Sequence, residues 1–400
     1  MSTQQTFPDV TPGVSNRFAP DALATRLASN IPASYMRDAV NCDLTSKGKL
    51  LRRQGYINLS ELPTRCVWGD GKPDGYAVVA GQVSRLTFTP ALVVEPLAAA
   101  APGHVSFSRA PDGSVVWSDG VSIQRVSQTS APLVPQTPAV PDITVGSGAL
   151  PAGRYMLAFT LFSASGEGAP TWPVQIDVPA SGSITLSNLT PGSRIYATGP
   201  NGEVMTYVGA SLLGSFVYSV LDDTGWPLDT AGLVAMPPGR IVRHALGRLL
   251  VASGNTLFMS EPFRHGLYNP AGGFISFKAP ITVVAPTSRG VYVCADQTYW
   301  FDSLPPQASP AVLPFGAVFG SDVAVPGPTE GVQRCAWMSP RGMVSASEAG
   351  EVELVQDAAL NFSPAARAST VLRESAGERW FVSSRSGVGP MISKAPDAGT

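Results

Sequence analysis

The sequence predicts an all-β chain, a repeated β-meander into which a small β-sandwich is inserted. Three observations lead there. Glycine and proline are abundant, 40 and 37 of 400 residues, while charged residues make up only 14%. Apolar residues come in short bursts between turn signals, as in short strands. Segments of one pattern also recur along the chain. Glycine supplies the positive φ of tight turns and proline removes a backbone donor, so both interrupt helices and interior strands.

Residues 1–40 carry Pro8, Pro12, Pro20 and Pro32 with little periodicity. They read as an extended arm, ordered by packing on something else, with a short helix around Ala22–Ala28. Three later segments superpose: His104–Gln128, Arg240–Glu261 and Ile281–Ser303. Each has an apolar strand, a Gly turn, a second strand, a polar turn and a third strand. Cys335–Gln356 fits the same frame, and Val371–Ser386 and Trp68–Phe88 fit it more loosely. A meander cannot bury both faces alone, so recurring copies suggest stacked blades, a β-propeller-like repeat. Between Gln128 and Arg240 the repeat is interrupted. Pro132–Pro141 reads as a linker, and Leu150–Thr230 shows short alternating runs separated by turns at Gly166-Glu167, Pro191-Gly192 and Asn201-Gly202. That is the pattern of a small sandwich. The expected organisation is an arm (1–40), the first part of the propeller (41–131), a Pro-rich linker (132–145), the sandwich (146–235), the second part of the propeller (236–390) and a tail (391–400).

Formal net charge is −2 with the signs interspersed, which argues against a basic nucleic-acid or membrane-surface footprint. Cys42, Cys66, Cys294 and Cys335 form no C-x-x-C pair and read as buried free thiols. Met1–Pro12 shows no secretory pattern and no run approaches a membrane span, so synthesis in a cytoplasm and delivery by assembly are expected. His104, His244 and His265, the only histidines, lack metal-ligand spacing and read as structural. Gly69-Asp70-Gly71 and Pro111-Asp112-Gly113 read as turns rather than calcium loops, and Asn201-Gly202 as a hairpin turn. Asp222 and Asp223 are adjacent and cannot act as a carboxylate pair on one strand face. No phosphate-binding glycine loop occurs. No catalytic residue, cofactor or metal is expected, and the chain reads as a non-enzyme. Trp117, Trp300, Trp337 and Trp380 fall inside repeat copies and are expected in blade cores.

Asn41-Cys42-Asp43-Leu44, followed by Lys47–Tyr56 with Leu50-Leu51-Arg52-Arg53 and Gln54-Gly55-Tyr56, resembles an "N-x-D … L-x-R-R … P-G-Y" signature near the start of many phage virion proteins; Gln54 stands where Pro is commoner. Physically the segment is a hairpin with outward arginines. Leu150–Tyr155, Gly166–Pro170 and Arg194–Thr198 resemble the fibronectin type III-like domains of the same proteins, and Leu257–Tyr268 with Phe274–Val284 and Gly290–Phe301 is similar to the propeller part of tail hub or nozzle proteins. The resemblance covers about Asn41–Ser386. It implies a structural virion protein of a bacteriophage tail: a homo-oligomeric ring around the DNA ejection channel, joined to a portal or adaptor and to tail fibres, with genomic DNA passing without specific binding. The alternative is a peripheral or fibre-associated receptor-binding protein that recognises a bacterial surface glycan, with Tyr268 and Trp226 as its candidate aromatics. A secreted propeller enzyme or lectin is a third reading, which the missing signal and the scarcity of histidine disfavour.

Overall fold

The structure is a computed structural model and describes residues 9–27, 30–40, 42–44, 50–52, 58–222, 224–308, 310–355, 360, 365–375 and 378–387. The chain divides into two compact units, Pro63–Ser276 and the segments on either side of it.

In the unit formed by the flanking segments, the arm folds back on itself. A 3-10 turn at Pro20–Ala22 leads into β1 (Ala24–Arg26), which pairs antiparallel with β2 (Pro32–Ser34). The helix expected at Ala22–Ala28 is therefore replaced by a turn and a strand. Leu23, Thr25 and Leu27 alternate as the less exposed residues, the period of a strand, and β-branched Thr25 sits in the strand ladder. Parallel bridges Asp9↔Ala33 and Val14↔Met36 fold the earlier residues onto this hairpin. The signature segment forms the expected hairpin: β3 (Cys42–Leu44) pairs with β4 (Leu50–Arg52) in the register Asp43↔Leu51, and Arg52 is exposed. Asn41, Lys47–Lys49 and Arg53–Tyr56 lie outside the described residues.

The Pro63–Ser276 unit opens with two four-stranded antiparallel meanders. The first sheet runs β5 (Thr64–Trp68), β6 (Asp74–Val79), β7 (Gln82–Thr87), β8 (Val93–Ala99). The second runs β9 (Ser106–Arg109), β10 (Val115–Ser118), β11 (Ile123–Val126), β12 (Ser130–Pro132).

The sandwich follows. Its strands are β13 (Asp142–Leu150), β14 (Gly153–Ser163), β15 (Gly166–Glu167), β16 (Val174–Val178), β17 (Gly182–Ser187), β18 (Ser193–Ala197), β19 (Thr206–Ser211) and β20 (Phe216–Tyr218). One sheet has the order β13-β17-β20; the other has β15-β14-β18-β19, with β16 on the side of β14. Leu150, Tyr155, Leu157, Phe159, Ile184 and Ile195 fill the space between the sheets. β13 starts at Asp142, inside the segment read as linker.

After the sandwich come β21 (Val234–Ala235) and a third meander: β22 (Ile241–Ala245), β23 (Arg248–Ser253) and β24 (Thr256–Met259). The chain then makes an excursion through β25 (Leu267–Tyr268), which pairs with β21, before β26 (Phe274–Ser276) closes the sheet beside β24. Ala80-Gly81, between β6 and β7, and Leu246-Gly247, between β22 and β23, both have positive φ at two successive residues, the two-residue turn that suits strand twist.

Back in the flanking unit, the fourth sheet is β27 (Val283–Pro286), β28 (Val291–Cys294), β29 (Thr298–Phe301), β30 (Ala311–Leu313), and the fifth is β31 (Val323–Pro326), β32 (Gln333–Ser339), β33 (Gly342–Ala346), β34 (Val352–Val355). β35 (Arg367–Ser375) and β36 (Glu378–Ser386) form a two-stranded hairpin.

The fold is thus all-β, with meanders of the propeller-blade pattern. Strand alternation explains how neighbouring sheets share cores. Val115 and Trp117 point toward Tyr76, Val78 and Val83 of the first sheet, while Val116 between them points toward Val242, Leu249 and Val251 of the third. In the flanking unit, Tyr292 and Cys294 meet Cys335 and Trp337 in the same manner. Among the described residues no helix is long and apolar enough to cross a membrane.

Candidate functional site

Within the Pro63–Ser276 unit, a cleft of about 460 Å3 opens between the second and third meanders and one end of the sandwich. Its walls are the Pro111-Asp112 turn, Arg125 on β11, the Ser165–Glu167 turn of the sandwich, Asp229 and the loop Phe263–Leu267. The fold places these groups by turn chemistry. Asp112 accepts hydrogen bonds from the backbone and hydroxyl of Ser114, and Gly113 takes φ +86°, so the expected turn forms. Gly168 runs so close to the Pro135 carbonyl that a Cβ there would lie 2.6 Å from it, which seats the sandwich turn against the preceding segment.

Three carboxylates stand at the cleft and each has a guanidinium partner. Asp112 is ion-paired with Arg125, whose Nε also donates to Ser114 Oγ. Asp229 pairs with Arg264 at 2.9 Å. Glu167 Oε1 accepts hydrogen bonds from Thr160 and Tyr196 at 2.5 and 2.7 Å, while Oε2 lies 3.7 Å from Arg194. Burial and the bond to Glu167 push the Tyr196 phenol up to about 12, so it remains a donor.

Phe263 stands at the mouth, 87% exposed, with φ +59°. A bulky non-glycine residue in the left-handed region is uncommon and strained, and such residues cluster at binding sites. His265 lines the cleft, and behind it His244 meets it edge to face with ring centroids 4.6 Å apart and Nε2 to Nδ1 at 3.4 Å. His244 Nδ1 is 3.2 Å from Ser108 Oγ, which also accepts the His244 backbone N–H. Burial, then the neighbouring His265 and Arg125, holds His244 down to about 3; burial also lowers His265, against the pull of the Gly247 carbonyl. Both imidazoles are therefore uncharged near neutral pH.

Beside the cleft, the outer face of β14, β18 and β19 carries an aromatic ledge. The Arg194 guanidinium lies 3.8 Å over the Phe162 ring, and the Trp226 indole stacks on Tyr207 at 4.2 Å and 9°. Trp226 is 52% exposed. Its position depends on Gly225, where a Cβ would collide with the Tyr207 carbonyl.

The other residues singled out in the sequence take structural roles. Asp70 and Asp74 clamp Arg109 of the next sheet at 2.6 and 2.9 Å. Asp222 caps a local turn at Thr224, and Asp223 lies outside the described residues. Asn201 adopts φ +56°, as a turn asparagine does, but β18 and β19 are joined by a longer loop than a two-residue hairpin. His104 Nδ1 is 3.9 Å from Cys66 Sγ. All four cysteines are free; Cys294 and Cys335 are buried with raised thiol values, whereas Cys42 and Cys66 are only half-buried because β3 and β5 leave them partly in water, which corrects the expectation of four buried thiols. Trp117 and Trp337 are fully buried, while Trp300 and Trp380 are half-buried. Tyr268 on β25 packs edge to face on Phe258 of the third sheet at 5.3 Å and offers no open platform. Among the described residues no cluster of three or more His, Cys, Asp or Glu could hold a metal. The histidine pair and the Glu167–Arg194 and Asp229–Arg264 ion pairs are not legible in the sequence, because their members lie on different elements that only the fold brings together, and Asp112–Arg125 is not, because nothing in a turn and a strand of one meander marks them as partners.

No protein-family model matches the chain, and no curated protein matches it either. Among solved structures, it is similar to BBS1N in the crystal structure of its complex with ARL6DN, with 12% identity over 80% of this chain and 86% of that one and a TM-score of 0.33. It is also similar to streptogramin B lyase, with 9% identity over 74% and 85% and a TM-score of 0.31, and to apo AztD from Citrobacter koseri, with 12% over 71% and 84% and a TM-score of 0.26. Likeness at this level carries no argument; the strand pairings themselves establish the fold.

Proposed function

We propose that the chain is a non-enzymatic structural subunit of a bacteriophage tail, of the hub or nozzle kind, assembled as a ring around the ejection channel. The observation that carries the reading is the order of parts. A hairpin that pairs Cys42–Leu44 with Leu50–Arg52, and so bears Asp43 and the Leu50-Leu51-Arg52 part of the signature, precedes the four-stranded meanders, and a two-sheet sandwich interrupts them between the second and third. This is the order in which the resembling motifs run. The sandwich is read as fibronectin type III-like; its β16-β14-β18-β19 and β13-β17 pairings support this, while β20, returning to the free edge of β17, is a departure.

Rigidity is the mechanism in this reading. Close-packed interiors deform little, and Trp117, Tyr292 and Trp337 sit in shared cores between adjacent sheets. A wall along which DNA slides must not grip it, and phosphate affinity grows with the number of Lys and Arg contacts; a net charge of −2 suits such a wall. Partners above and below are a portal or adaptor and tail fibres, and the location is the virion.

The test is mass spectrometry of purified virions followed by cryo-electron microscopy of the particle. The expected result is this polypeptide in stoichiometric amount and a symmetric ring on the tail axis. Absence from the virion, or density only at the periphery, overturns the reading.

A further inference from the structure

We propose that the cleft walled by Asp112, Glu167, Asp229 and Phe263 is a binding site for a neutral oligosaccharide. This is independent of the tail reading.

Two features point to that chemistry. The first is balanced polarity. Asp112, Glu167 and Asp229 are each matched by a guanidinium, Arg125, Arg194 and Arg264, so the walls present many donors and acceptors with no excess charge. His265 in the lining and His244 behind it add none, since burial keeps both rings neutral. An anionic ligand would find every guanidinium already opposed by a carboxylate, and a cationic ligand would meet the reverse. A neutral polyhydroxylated ligand uses both partners of a pair at once. The Glu167–Arg194 pair is suited to this: at 3.7 Å it attracts but does not hydrogen-bond, so Oε2 can accept from a hydroxyl.

The second feature is aromatic surface. A pyranose has an apolar C–H face that stacks on a ring, and Phe263 holds its ring in water at the mouth in a backbone conformation that costs stability. Arg264, the next residue, is tied to Asp229, which fixes the loop and so limits the entropy lost on binding. Trp226 supplies a second open ring. One face rests on Tyr207, the residue is half exposed, and Glu167 links this ledge to the cleft through Tyr196. A volume of about 460 Å3 lies within the range of small-ligand sites.

The test is an array of immobilised neutral and acidic oligosaccharides probed with the labelled full-length chain. Binding should fall on neutral members and change little with added salt, because no net charge is being neutralised. Phe263→Ala should weaken it by about tenfold or more, as removal of an anchoring aromatic does. Glu167→Gln should weaken it less, since the amide keeps one acceptor for Thr160 and Tyr196. Trp172→Ala, at an exposed indole away from the cleft, should leave it unchanged. Because Phe263 is exposed, its replacement leaves the fold intact, and a melting curve checks this. No bound neutral member, binding to acidic members alone, or neutral binding indifferent to both cleft variants overturns the proposal.

Discussion

His244 carries a pH dependence that can be worked out from its surroundings. Its imidazole is buried beside His265 and Ser108, and burial holds its folded value down to about 3 against an ordinary 6.5. Between those values the unfolded chain binds a proton that the folded chain does not, so falling pH favours unfolding. The contribution of this residue is complete above about pH 6.5 and is lost as pH falls toward 3. The slope from this group alone is at most about 1.4 kcal/mol per pH unit. Urea unfolding followed from pH 7 to pH 4 should show the decline, and His244→Gln should flatten it. A variant with the same slope as the parent would show that the carboxylates, not this pair, govern acid stability. The pair could not be read from the sequence: His244 lies near the end of the edge strand β22 and His265 on the excursion before β25, and the return of that excursion to β21 brings the rings together.

At the scale of elements, the joints between meanders use serine hydroxyls as partners for edge backbone. β22 is the first strand of its sheet, and the N–H groups on its free side would otherwise be orphaned in a buried joint. Ser106 Oγ accepts from Val242 N–H and from Arg243, Ser108 Oγ accepts from His244 N–H, and Ser118 Oγ accepts from Gly239 N–H. Ser106→Ala should cost about 1–3 kcal/mol, the penalty for a buried donor left without its acceptor. It would be seen as a lower urea midpoint at unchanged m-value. A cost near zero would mean that water replaces the hydroxyl.

The inner three strands of most of these sheets were legible in the sequence because their apolar runs and Gly turns are strong. The outer strands were not. β12, β26 and β30 are only three residues long, and β12 carries Pro132, which an edge tolerates because one side of its backbone needs no partner. The looser copy at Val371–Ser386 proves to be two nine-residue strands rather than a third and fourth partner.

At the scale of the molecule, the insertion reading has a thermodynamic consequence. The sandwich buries Leu150, Tyr155, Leu157, Phe159, Ile184 and Ile195 in a core of its own, whereas the flanking meanders share cores built on Trp117 and on Val242, Leu249 and Val251. A cluster that exchanges few side chains with its neighbours can open without them. Leu157→Ala removes a fully buried side chain from the sandwich core and should cost about 2–5 kcal/mol there. Hydrogen exchange of the intact chain should then show amides of residues 142–220 losing protection while those of β5–β12 and β22–β24 keep theirs. Equal loss in both regions would mean that the cleft couples sandwich and meanders into one cooperative unit, with Arg264–Asp229 and the Gly168 contact as its links. Local loss would instead mark the sandwich as a separable body, able to shift against a rigid block of meanders and so to widen or narrow the cleft at their junction.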